Sequence, residues 1–156
     1  MAVRGVWSVL VLVGAGLLMV VPAAAKSDHS AAEARRAYEQ AQRQLKETAQ
    51  QGIERLQRFT KAQLPAVQKL IDAGKLDDAR TLAKHDIAIL IGMCDGSVRK
   101  LNEELRRAQQ KLKSLGDSGD AEALGRLVNG ELVPAVRNEC DGSVRKFKAL
   151  FGDGSV

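Results

Sequence analysis

The 156-residue sequence predicts an all-α fold, an antiparallel bundle of three long helices. Three observations lead there. Apolar residues recur at steps of three and four through three long segments, which places them on one face of a helix. No stretch alternates with the period of two that a half-buried strand requires. Two glycine- and aspartate-containing breaks, Asp72-Ala73-Gly74 and Gly116-Asp117-Ser118-Gly119-Asp120, separate the segments.

The chain opens with a basic residue, Arg4, followed by an uncharged apolar run from Gly5 to Val21 and by Pro22-Ala23-Ala24-Ala25. A positive start, an apolar segment and small residues before a cut are the marks of a secretory signal, here expected to be residues 1–25 with cleavage after Ala25. Retention of the run as a membrane anchor is the alternative, because its length approaches the lower limit for crossing a bilayer. No cysteine lies near the cut, so a lipid anchor is not expected. The remainder, 26–156, is expected to be one helical-bundle domain with a short flexible N-terminal tail and C-terminal end, periplasmic or secreted. Loss of Arg4 leaves 23 basic against 19 acidic residues, a net charge of +4. Trp7 leaves too, and Tyr38, Phe59, Phe147 and Phe151 are then the only aromatics. The core must therefore be built from leucine, valine, isoleucine and alanine.

The first helix is expected over about 30–73, from the run Tyr38, Ala41, Leu45, Ala49, Ile53, Leu56, Thr60, Leu64, Val67, Ile71. Pro65 removes a backbone donor and predicts a kink or restart. Gly74 is placed to cap the end. The second, over about 76–115, follows Leu76, Ala79, Ala83, Ile87, Leu90, Cys94, Val98, Leu101, Leu105, Ala108, Leu112, Leu115. The third, over about 120–151, follows Ala121, Leu124, Val128, Leu132, Ala135 or Val136, Cys140, Val144, Phe147, Phe151. Such steps are also those of coiled-coil helices.

The heptapeptide CDGSVRK occurs twice, at Cys94–Lys100 and Cys140–Lys146, and contains both cysteines; DGSV recurs at 153–156. Each cysteine stands 23 residues from Asp117. In a hairpin turning there the two arrive at the same height, with Leu90 opposite Val144, Ile87 opposite Phe147, and Val98 opposite Val136. An interhelical disulfide between Cys94 and Cys140 follows as the expectation, and an exported protein can keep it. Its Cα atoms must approach to about 4.4–6.8 Å, closer than the usual ~8–10 Å between helix axes. Gly96 and Gly142 are expected to loosen the backbone into kinks at the CDGS stretches, the alternative being a break capped by Ser97 and Ser143. Sequence duplication without a role would also explain the copies.

Chemistry is hard to place on this chain. His85 lies nine residues from Cys94, about 13 Å along a helix, too far to act as its base. Cys94, Cys140, His85, Met93, Asp95 and Asp141 show no spacing typical of metal ligands. Covalent haem, calcium-loop, phosphate-loop and serine-elbow motifs are missing. No catalytic residue, metal site or cofactor is therefore expected.

Six cations between Arg99 and Lys113 (Arg99, Lys100, Arg106, Arg107, Lys111 and Lys113) form a candidate polyanion-binding stripe. Glu103 and Glu104 are expected to neutralise part of it through i,i+4 pairs, Arg99 with Glu103, Lys100 with Glu104 and Glu103 with Arg107. No aromatic is interleaved for base stacking, which argues against nucleic acid. AGKLDDARTLAK and SGDAEALGRLVNGELVPAV resemble the joints of exported four-helix-bundle domains, including the sensor bundles of bacterial chemoreceptors. The resemblance covers two turns and implies no site residue.

The sequence thus points to an exported, non-enzymatic binding or protein-interaction module with a protein partner in the cell envelope or a second copy of itself. Membrane association is expected only if the signal segment is retained. Two alternatives stand beside it: a periplasmic thiol-redox or metal-handling protein using Cys94 and Cys140, and a binder of anionic envelope components through the basic face.

Overall fold

The computed structural model describes residues 23–152, with side chains from His29 onward. Most of the expected signal segment and the third DGSV, at 153–156, lie outside the described residues; only Ala23–Ala25 of the segment are included, and they open the first helix. The described residues are helical throughout, without strands, and form three helices packed together: α1 (Ala23–Asp72), α2 (Leu76–Ser114), and a third made of α3 (Ser118–Leu127), a π turn (Val128–Leu132) and α4 (Val133–Ala149).

Both joints are built by glycine. Gly74 has φ +73° and Gly116 φ +83°, a left-handed conformation that costs other residues a steric penalty. At the end of α1 the Lys75 N–H donates to the Leu70 carbonyl and the Gly74 N–H to Ile71. At the end of α2 the Asp117 N–H donates to Leu112 and the Gly116 N–H to Lys113. Each is the paired arrangement that satisfies the last orphaned carbonyls of a helix. Asp117 then starts α3, its carboxylate accepting from the Asp120 N–H at 2.9 Å.

The core is aliphatic, as the composition demands: Leu45, Leu56, Val67, Leu90, Leu101, Leu112, Leu124, Val128 and Val136 are buried with Phe147 among small alanines. α1 packs mainly on α2, both pack on α4, and α3 packs on α2 with little contact to α1. Thr48 of α1 meets Glu104 of α2, while Gly52, one turn further along α1, meets Ser97, nearly two turns earlier in α2. α1 remains helical through Pro65, which is exposed, and so does not restart there. Both CDGS stretches are also continuous helix, so Gly96 and Gly142 end nothing and Ser97 and Ser143 cap nothing. A Cβ on Gly96 would meet no atom within 4 Å.

Three details depart from the apolar periodicity. Leu76, at the first turn of α2, is 48% exposed. Ser143, not Val144, takes the fully buried position in the second copy, with Val144 half-buried. Asp86 is 3% exposed in a core where an aliphatic residue is the norm.

The π turn has a cause in the sequence. In a regular helix the ring of Pro134 would press on the carbonyl four residues earlier, at Gly130. Opening one turn relieves this, and the Val133 N–H donates to the Val128 carbonyl five residues back. Val128 and Val136 are both fully buried yet eight residues apart, one more than two α-helical turns accommodate. The π turn absorbs that extra residue, and it selects Val136 over the exposed Ala135 for the core.

Candidate functional site

The two heptapeptides occupy matching environments. In both, the cysteine is buried at 6% exposure, the aspartate, arginine and lysine are exposed, and the glycine and valine are half-buried. The helical phase dictates this, since Cys and Val four residues on share the inner face while Asp and Arg share the outer one. The structure brings Cys94 and Cys140 close together, unbridged and further apart than bonded cysteines. The Cys140 sulfur also lies 3.9 Å from the Leu90 carbonyl, one turn before Cys94.

Burial pushes the Cys140 thiol up to about 12, with the Cys94 side chain and the negative charges of Asp141 and Asp95 adding to the effect. A thiol held in its protonated form is a poor nucleophile and a poor ligand. His85 is exposed on α2, and Asp95 and Asp141 point to solvent. Among the described residues no group of three or more His, Cys, Asp or Glu side chains converges as a metal site would require.

The six cations lie along two lines of α2. Arg99, Arg106 and Lys113 succeed each other at seven residues and lie along one line of α2. Lys100, Arg107 and Lys111 lie along another, bordering the seam with α1. Consecutive residues of a helix point about 100° apart, which is why neighbours in sequence part company here. Of the expected charge pairs only Lys100–Glu104 approaches, at 4.0 Å; Arg99, Glu103 and Arg107 form no ion pair among the described residues. Glu104 turns instead toward α1 and accepts a hydrogen bond from the Thr48 hydroxyl at 2.7 Å.

That hydrogen bond divides the α1–α2 seam into two grooves. One, of about 240 Å³, is floored by Ala37, Ala41, Leu45 and Ala108 and edged by Arg107 and Lys111. The other, of about 320 Å³, is floored by Gly52, Gly96 and Ser97 and edged by Arg55 and Lys100. Gly52 makes this close approach of the helices available, since a Cβ there would come 3.0 Å from the Ser97 hydroxyl. The sequence singled out the cations and, in its apolar runs, Ala41, Leu45 and Ala108, but not the seam, because periodicity within each helix does not show which residues of two helices share a groove.

No family model, characterised protein or solved structure matches this chain. No helix among the described residues is long and apolar enough to cross a membrane.

Proposed function

We propose that this chain is an exported, non-enzymatic three-helix module that binds a protein partner in the cell envelope, folded as a single antiparallel bundle over 26–156. The α1–α2 seam carries this reading: it is concave, floored mostly by small residues, and edged by cations of which Arg55, Arg107 and Lys111 have no carboxylate within 4.0 Å among the described residues. Concave surfaces with few convergent polar groups are where ligands bind. The reversed order of the Thr48–Glu104 and Gly52–Ser97 contacts supports the antiparallel arrangement of α1 and α2.

Within this reading, Cys94 and Cys140 form an intrachain disulfide that staples α2 to the third helix once the protein is exported. Their proximity inside the core supports the staple, and the raised Cys140 thiol weighs against a redox or metal-handling role. An interchain bridge is disfavoured because both cysteines are 6% exposed, so two copies would have to exchange helices to bring them together.

A pull-down with the tagged mature protein from its native envelope fraction tests the binding role. A partner retained saturably is the expected result. Recovery of the module alone, under crosslinking as well as native conditions, would sink it.

A further inference from the structure

The two grooves of the α1–α2 seam are evenly matched in spacing. Ala41 and Gly52, central to the floors on α1, are eleven residues apart, and so are Ala108 and Ser97 on α2. Eleven residues of helix rise about 16 Å and complete just over three full turns. Side chains at i and i+11 of a third helix lying along the seam therefore emerge on one face, at the separation of the grooves. The floors, alanine, glycine and serine apart from Leu45, allow the backbone of such a helix to come close.

The charges select its flank. Arg55, Lys100, Arg107 and Lys111 border the seam, and Glu104, the carboxylate among the groove-lining residues, is already engaged by Thr48 and approached by Lys100. The seam thus presents an excess of positive charge over a length of some 25 Å. A second copy brings the same cations and a net charge of +4, and so is repelled. An extended peptide finds no strand edge among the described residues to satisfy its backbone, whereas a helix satisfies its own. A lipid surface is flat and cannot enter two separate clefts.

We propose that the seam takes an amphipathic helix with an acidic flank from a partner protein, apolar side chains eleven residues apart entering the two grooves and carboxylates meeting Arg55, Lys100, Arg107 and Lys111. This rests on the reading of the chain as a binding module and names the class of its partner.

The probe is a synthetic helical peptide with leucines eleven residues apart flanked by glutamates, titrated into the mature protein beside a counterpart carrying lysine for glutamate. Calorimetry and backbone-amide NMR shifts are read together. The acidic peptide is expected to bind, to shift the amides of Ala41, Gly52, Ser97 and Ala108, and to weaken as salt rises. Arg107→Gln with Lys111→Gln should weaken it about fivefold or more, the combined effect of two exposed charge contacts. Arg99→Gln with Arg106→Gln removes the same charge off the seam and should change affinity less than about twofold. All substituted positions are exposed, and circular dichroism verifies the fold.

Equal losses from both double variants would show undirected charge attraction and overturn the proposal. So would the absence of shifts at the seam, or the same shifts produced by vesicles of anionic phospholipid. A native envelope partner whose capture survives the seam substitutions would overturn the seam and leave the module reading standing; failure to capture any partner overturns the module reading itself.

Discussion

Glycines that look alike in the sequence differ sharply in what they do. Gly52 lies where α1 and α2 touch, and an added Cβ would meet the Ser97 hydroxyl at 3.0 Å and its Cβ at 3.1 Å. The Cβ is fixed to the α2 backbone, so relief requires the helices to part. Overpacking of this kind costs about 1–3 kcal/mol, against about 1 kcal/mol gained in helix propensity. Gly52→Ala is therefore expected to lower the melting temperature. Gly92→Ala and Gly96→Ala, where a Cβ meets nothing within 4 Å, should raise it, each by the equivalent of about 0.4–1 kcal/mol. Thermal unfolding followed by circular dichroism checks all three. Asp86 provides a second test. Burial raises its carboxyl pKa above the ordinary 3.8, with His85 opposing weakly, and its Oδ2 has no hydrogen-bond partner. Between 3.8 and the raised value the folded state holds a proton that the unfolded state has released, so this group adds stability as pH falls through that window. Asp86→Asn should raise stability at neutral pH and flatten that part of the pH profile, measured by urea unfolding from pH 7 downward. Neither Asp86 nor Ser143 was legible as core, because a polar residue at a core phase looks like a gap in the pattern.

The joints between elements were legible, and the turn within the third helix was not. Gly74 and the Gly116-Asp117 pair announce themselves because helix ends need a left-handed residue and a capping carboxylate, which few residue types supply. The π turn leaves only two traces: Pro134, and a step of eight between Val128 and Val136 that reads as a choice between Ala135 and Val136. If the turn absorbs one residue to accommodate Pro134, removing both causes should straighten the helix without rotating either flank. Deleting Gly130 together with Pro134→Ala is expected to preserve the fold and to keep Cys140, Ser143 and Phe147 buried. Deleting Asn138 instead rotates everything after it by about 100° and should unfold the C-terminal half. Amide exchange across 133–149 distinguishes the outcomes. Pro65 illustrates the same limit from the other side: the proline predicts a disturbance, yet it sits exposed on α1 and the helix continues past it.

At the scale of the whole molecule, helicity and the three-part organisation were legible because apolar periodicity survives over 30 to 50 residues per helix. The cations were legible as a group but not as two lines, since a list of positions does not show that Arg99 and Lys100 point about 100° apart around the helix. We propose that the duplicated heptapeptide, which brings Cys94 and Cys140 near each other in the core, lets them close a staple between α2 and the third helix after export. A loop of about 45 residues closed this way contributes roughly 4 kcal/mol in the chain-entropy view, a large part of the ~5–15 kcal/mol typical of a small domain. Reduction should accordingly lower the melting temperature markedly while leaving the helical signal intact at low temperature. The most direct measurement is the intact mass of protein isolated from its native compartment, taken before and after reduction, with thiols counted under denaturing conditions. A monomer two hydrogens lighter than its reduced form and with no free thiol is expected; two titratable thiols, or a species of twice the mass that reduction halves, would rule the staple out.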